Sequence, residues 1–245
     1  MADWCLLVID NTSHLVNLDS NTIEIKNFGN FPSEFLKKQK KNANFNFFEK
    51  EAKLIPHSLS DIQKNLVRGP QIISSKDIAW IIHNLDFKSG DTIIEAGGGS
   101  GALTTALAQA AYPGGKVITF EKSKKHHDIV KRNLQLSPFS DQVDLRNEEL
   151  NEDSPRIECN SIVLDLPEPH KLVGWAKESL VSGGKMLCYI PTINQVENLL
   201  SSLNGWGEIE ISEIIHRTWQ SNSEALRPNT NILGHTGFVL SARLF

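Results

Sequence analysis

Asp91-Thr-Ile-Ile-Glu-Ala-Gly-Gly-Gly-Ser-Gly101 decides how the rest of the chain is read. A β-branched run ends in an acid, then in four glycines within five residues. That order predicts a strand stopping in a tight turn whose backbone angles suit glycine. An Ala- and Leu-rich helix follows to Ala111 and stops at Tyr112-Pro-Gly-Gly115. Downstream, Lys116–Phe120 reads as a second strand closing on Glu121, residues 123–136 as a helix, and 142–146 as a third strand. Ser161–Leu164 is a fourth, ending in Asp165-Leu-Pro-Glu-Pro169. Another helix, the strand Lys185–Ile190 after Gly183-Gly184, and a helix from Asn194 to Leu203 come next. Two late strands, 208–215 and 237–244, have no helix between them. Upstream, Ser74 or Ser75 predicts a helix cap with Asp77 as its capping-box acid, and Ile78, Ile81, Ile82 and Leu85 share one face. Strict alternation of strand and helix predicts a doubly wound, Rossmann-like α/β sheet of seven strands, mostly parallel with an antiparallel edge.

The first residues read differently. Leu6–Ile9, His14–Val16 and Thr22–Lys26 are short β-type runs parted by polar turns, so residues 1–60 predict a small N-terminal β domain and linker ahead of a main domain over 61–245. A basic run, Lys37-Lys-Gln-Lys-Lys41, precedes Phe45, Phe47 and Phe48, and residues 49–65 read as a connector.

The chain has 245 residues and a formal net charge of -4, with 40% hydrophobic and 22% charged residues, enough for a real core without staples. Net acidity excludes whole-molecule positive charge as a means of holding nucleic acid, but not a local basic face. Lys37–Lys41 is one such patch; Lys122, Lys124, Lys125, Lys131 and Arg132, beside His126 and His127, form another. Cys5, Cys159 and Cys188 are odd in number and widely spaced, which argues against a disulfide framework or a metal site and for free buried thiols. The apolar run Cys5–Ile9 is too short for a signal sequence or membrane span, so a cytoplasmic protein without membrane or metal is expected.

In an open α/β sheet ligands bind beyond the carboxyl ends of the strands, at the switch point. Gly97-x-Gly99-x-x-Ala102 satisfies the loose dinucleotide fingerprint, whose glycines meet a pyrophosphate. Glu95, Gly97, Gly99 and Gly101 match the acid-x-Gly-x-Gly-x-Gly pattern of S-adenosylmethionine (SAM) sites in full. The acid favours SAM, since it can hold an ammonium and would repel a pyrophosphate. The antiparallel terminal strands favour the same methyltransferase arrangement. Glu121, ending the second strand, suits two ribose hydroxyls.

Five segments resemble the tRNA (adenine-N1)-methyltransferase family (TrmI type), which modifies adenine 58 of the T-loop and, in archaeal members, adenine 57. They are Arg68–Asp77, the glycine loop with Ala102-Leu103-Thr104, Leu164–Pro169, Tyr189–Val196, and Arg217-Thr-Trp219-Gln through Leu226-Arg227-Pro228 to Gly234-His235-Thr236-Gly237-Phe238. The chain departs from the pattern at Gly69, Pro70, Ser74, Ser75, Gly98 and His170; position 74 has lost an aromatic that often lies near the target adenine. The resemblance implies a tRNA substrate, SAM, a homotetramer, and an N-terminal module that helps present tRNA. It places Gln71, Glu95, Gly97, Gly99, Ser100, Gly101, Ala102, Leu103, Glu121 and Asp165 around the cofactor.

Attack by adenine N1 makes the ring cationic and draws charge from the N6 amino group. A carboxylate on that group would stabilise the developing charge, and Asp165, held in an extended loop by Pro167 and Pro169, is the candidate. Tyr189 could stack on the flipped base or fill the top of the core. Glu149, or its neighbour Glu148, could bond the cofactor's adenine, and His126 could line that side or be a solvated helix residue. Arg227 is a candidate tRNA contact; His235 could serve there too, or shape the last strand. Two other readings are another methyltransferase of the same fold, acting on protein isoaspartate or a small molecule, and a noncatalytic tRNA-binding subunit.

Overall fold

The computed structural model describes residues 3–69 and 72–245. In chain order the elements are β1 (Trp4–Ile9), β2 (Thr12–Asn17), β3 (Thr22–Ile25), β4 (Gly29–Pro32), α1 (Glu34–Lys37), β5 (Asn44–Phe47), β6 (Lys50–Ile55), α2 (Leu59–Asn65) and α3 (Ser75–Leu85). Then come β7 (Thr92–Ala96), α4 (Ala102–Ala111), β8 (Lys116–Phe120), α5 (Lys124–Leu134), β9 (Val143–Arg146) and β10 (Cys159–Leu164). The chain ends with α6 (Val173–Ser179), β11 (Leu180–Ile190), α7 (Ile193–Ser202), β12 (Trp206–Ser212) and β13 (Phe238–Leu244). Two compact units emerge: Met1–Val67 with Arg132–Pro138, and Arg68–Lys131 with Phe139–Phe245.

In the smaller unit β2-β1-β6-β5 form an antiparallel sheet, and β3 and β4 form a separate hairpin. Residues 49–65 are not a connector. Lys50–Ile55 is a strand and Leu59–Asn65 a helix, opened by a capping box between Ser58 and Asp61. The strand escapes a reading by composition because Ala52 and Leu54 alone turn fully inward, between charged neighbours. Cys5, Leu7, Ile9, Val16, Ile25, Leu36, Phe47 and Leu54 make the core. Asn133 ties the added segment to this unit, accepting from Val67 N at 2.9 Å and donating to Val67 O at 3.0 Å.

The larger unit carries the seven-stranded sheet, in the order β12-β13-β11-β10-β7-β8-β9. β9, β8, β7, β10 and β11 run parallel, and β13 lies antiparallel between β11 and β12. Ile93, Ile94, Val117, Ile162, Val163 and Leu187 are fully covered, as expected of parallel strands packed on both faces. β11 starts at Leu180 and runs through Gly183-Gly184, which sequence alone marks as a turn. Chain order reverses between β7 and β10, where β7 leads to β8 on one side and β10 to β11 on the other. All three cysteines are buried and free. No described helix is long and apolar enough to cross a membrane, and the described residues hold no group of three metal-ligating side chains.

Candidate active site

The glycine loop leaves β7 and Asp165 leaves β10, so both stand at that switch point. Pairing of the strands continues past their ends: Leu164 is in register with Ala96, and Asp165 N donates to Ala96 O at 2.9 Å. Gly97 is at φ +95°, and a β-carbon there would lie 2.1 Å from the Asp165 carbonyl oxygen. Glycine at 97 is therefore what allows loop and acid to touch. Gly99 and Gly101 also have positive φ, 56° and 78°, and α4 begins directly after them. Gly98 fits its own neighbours: a β-carbon would come within 2.9 Å of the Thr119 methyl. Ser100, Ala102 and Leu103 are buried in this turn.

Glu95 departs from the sequence-based expectation. Its carboxyl lies beneath the loop, 1% exposed, where Oε2 accepts from Thr104 Oγ1 at 2.7 Å and Thr119 Oγ1 at 2.8 Å. Burial pushes its pKa up to about 8, against the opposing effect of the threonine bonds, so the group is largely neutral at pH 7. Glu95 in this neutral form would not repel a pyrophosphate. Its Oε1 is buried without a hydrogen-bond partner among the described residues.

Glu121 continues β8 and is also buried. Its Oε2 accepts from Gly99 N at 2.9 Å and its Oε1 from Ser123 N at 2.8 Å, so one side chain braces the glycine loop against the start of α5. A carboxylate offers about four acceptor positions. Each oxygen thus keeps one for a vicinal diol. His126 Nδ1 lies 4.0 Å from Glu121 Oε1, on the same side. Asp165 feels both burial, the larger effect, and the negative charge of Glu121; together they push its pKa up to about 6.

Other candidates stand further out or in other roles. Glu149 is exposed and accepts from Lys122 Nζ at 3.1 Å, and Glu148 is exposed too. Lys124 pairs with Asp128 at 2.7 Å, so the basic patch of α5 is partly neutralised. Arg227 is exposed and donates through Nε to Gln220 Oε1 at 3.2 Å, within a turn closed by the Trp219–Pro228 bridge. His235 lies tilted against Phe238 at 4.9 Å between ring centroids, meets the Glu213 carboxylate through Nδ1, and lies 2.9 Å from Pro191 O through Nε2. Those two contacts, the Pro191 carbonyl first, raise its pKa. Gln71 lies outside the described residues.

Asp77 and Tyr189 are the main surprises. Asp77 opens α3 but does not complete a capping box with Ser74, whose side chain caps no backbone N–H. It is fully buried, and its carboxylate accepts from Ser74 Oγ at 2.7 Å, Lys76 Nζ at 2.7 Å and Thr236 Oγ1 at 2.8 Å. Tyr189, 6% exposed, donates its hydroxyl to Thr236 O at 2.7 Å. The ring packs so tightly on Gly237 that a β-carbon there would fall 2.7 Å from Cζ. Of the two positions open to Tyr189, this is the filled top of the core rather than a ring presented to a base. The contacts that Lys76, Asp77, Thr104, Thr119 and Thr236 make here were not read from sequence. Asp77 sits in the family-like segment, but its neighbours at 189 and 236 are invisible along the chain.

Known proteins resemble the chain over this same region. The family model described as "tRNA methyltransferase complex GCD14 subunit" matches residues 62–228. The chain is 31% identical over 219 residues to a tRNA (adenine(57)-N(1)/adenine(58)-N(1))-methyltransferase TrmI from Methanocaldococcus jannaschii, covering 78% of each protein. Its structure is similar to that of a SAM-dependent O-methyltransferase from Thermotoga maritima, with TM-score 0.85, 27% identity, and coverage of 99% of this chain and 93% of that one. It is also similar to the tRNA (m1A58) methyltransferase TrmI from Aquifex aeolicus, with TM-score 0.79, 25% identity, and coverage of 100% and 97%.

The residues present fit SAM. A buried orphan oxygen on Glu95, a glycine loop at the switch point and spare acceptor positions on Glu121 suit its amino acid and ribose parts. Fold, site and sequence matches agree: the chain belongs to the GCD14/TrmI family of tRNA (adenine-N1)-methyltransferases.

Proposed function

We propose that the chain methylates N1 of adenine 58 in the T-loop of tRNA with SAM as donor, adenine 57 being the adjacent position to check. The observation that carries this reading is the direct contact between the glycine loop and Asp165, which sets a carboxylate beside the cofactor loop. When bound, SAM supplies an electrophilic methyl group on a sulfonium.

Asp165 does the chain's own chemical work. With its pKa near 6 the side chain is mostly ionised at pH 7, so it accepts a hydrogen bond from the N6 amino group. Its negative charge stabilises the positive charge that grows on the ring, and it can take up the N6 proton afterwards. Glu121 holds the ribose hydroxyls while bracing Gly99, and His126 lines the same side. Glu149, which pairs with Lys122 through Oε1, is the acid assigned to the cofactor's adenine. Tyr189 acts as a positioning residue through Thr236 rather than by stacking on the base. Arg227 and His235 belong to the tRNA-facing segment. We place the enzyme in the cytoplasm from its cysteines and short apolar runs, and as a homotetramer from the family resemblance, the latter testable by sedimentation.

A second reading, methyl transfer to oxygen of a small molecule, is favoured by the likeness to the Thermotoga structure. Asp165→Ala separates the mechanism from a passive loop acid. We expect tRNA methylation to fall by roughly a hundredfold or more, with SAM affinity retained. An unchanged rate would remove Asp165 from the chemistry.

A further inference from the structure

Six of the eleven phenylalanines, Phe28, Phe31, Phe35, Phe45, Phe47 and Phe48, fall within 21 residues of the smaller unit. Phe47 is core, and the other rings gather around it: Phe48 at 4.8 Å, Phe31 at 5.0 Å, Phe28 at 5.6 Å and Phe35 at 6.0 Å between centroids. The outer edge of the cluster is open, with Phe48 64% and Phe35 44% exposed.

Phe48 is also the wrong residue for its backbone. Phe47 pairs with Lys50, so Phe48-Glu49 is a two-residue hairpin turn, with φ of 50° and 64°. Such turns favour Asn-Gly, and a bulky residue at positive φ is a strained outlier. A mostly exposed ring regains little of that strain by packing, so the fold alone does not account for an aromatic in this turn.

The surroundings name the ligand class. Residues 26–53 hold seven lysines and three glutamates, a local charge of +4 in a chain of net -4. Lys50 Nζ lies 5.9 Å from the Phe28 centroid while pairing with Asp10, and Lys37 pairs with Glu34. Lys26, Lys38 and Lys40 are exposed and make no ion pair among the described residues. Exposed aromatic faces among lysines are the composition that holds unpaired nucleotides: bases stack on the rings and cations meet the phosphates. From this we infer that the open edge formed by Phe48 and Phe35 is a stacking platform for an unpaired base of the tRNA substrate. The inference rests on the tRNA reading above and adds to it a second site, remote in sequence from the glycine loop.

The test uses the 245-residue chain and unmodified tRNA transcript. Phe48→Asn removes the ring and suits the turn; Phe48→Leu keeps an apolar contact; Phe48→Trp keeps a stacking face. We expect Asn and Leu to raise KM for tRNA by roughly fivefold or more, with kcat and SAM affinity unchanged, and Trp to restore it. Phe48→Asn should leave the thermal midpoint unchanged or raise it, because the turn relaxes. Unchanged KM in Asn and Leu overturns the platform, as does a Leu variant that behaves like wild type. A fall in midpoint of more than about 5 °C would make the ring structural, and a lower mass by light scattering would make it a contact between copies. If wild-type protein methylates no tRNA, the functional proposal fails separately. The same variants are then compared by filter binding of the transcript, where equal affinities overturn the platform.

Discussion

Gly97→Ala is the sharpest perturbation of the site. A β-carbon at 97 would stand 2.1 Å from the Asp165 carbonyl oxygen, and to reach 3.4 Å, where ordinary contact begins, the two segments must part by about 1.3 Å. The partner is backbone, so no side-chain rotation relieves it. Separation also pulls on the Asp165 N to Ala96 O bond, at 2.9 Å, that extends the β7–β10 pairing. Alanine at φ +95° adds strain of its own. Strain of about 1–3 kcal/mol and a lost bond of about 1 kcal/mol give a destabilisation of about 3 kcal/mol. For a chain of this size that is a fall of roughly 6–12 °C in thermal midpoint. Moving Asp165 by about 1 Å should lower kcat/KM for tRNA by roughly a hundredfold. The assay pairs thermal unfolding with initial rates of tRNA methylation. Gly174→Ala in α6 is the control, since a β-carbon there meets nothing within 4 Å and alanine favours helix. A Gly97→Ala protein with wild-type midpoint and rate would refute the contact on which the site is built.

Three further expectations follow from buried charge. With the Asp165 pKa at about 6, raised by burial and then by Glu121, kcat/KM for tRNA should climb as pH rises through about 6 and level off above 7. The stability sign is opposite: the folded protein holds this proton more tightly than the unfolded chain, so that contribution is full below about pH 4 and is lost as pH rises through about 6. Asp165→Asn should therefore gain in midpoint relative to wild type between pH 4 and 7, and an unchanged difference across that range would contradict it. Asp77→Ala strands the mostly buried Lys76 ammonium and should cost about 3–5 kcal/mol in chemical unfolding. Replacing Lys76 by Met in the same protein should recover most of the loss; an additive double variant would deny the pair.

The parallel sheet was legible because its strands are continuous apolar runs and its glycine loop punctuates the first of them. Thr92–Ala96, Lys116–Phe120 and Phe238–Leu244 emerge close to where the residues place them. Lys50–Ile55 was not legible, since its inward positions are few and its outward ones charged. Nor was the start of β11, where Gly183-Gly184 reads as a turn but lies within an eleven-residue strand. At the site, identity was easier than orientation. Glu95 and Asp77 were marked as acids, yet burial and contacts with Thr104, Thr119 and Thr236 decide what each does. Those partners lie 9, 24 and 159 residues away, distances over which local pattern carries no signal.

Mass-spectrometric mapping of nucleosides in an unmodified tRNA transcript, after incubation with this protein and SAM, tests the central claim most directly. 1-Methyladenosine is expected at position 58, abolished by Asp165→Ala. SAM binding with no methylated adenine in the T-loop, or methyl groups found on another substrate class, would contradict it.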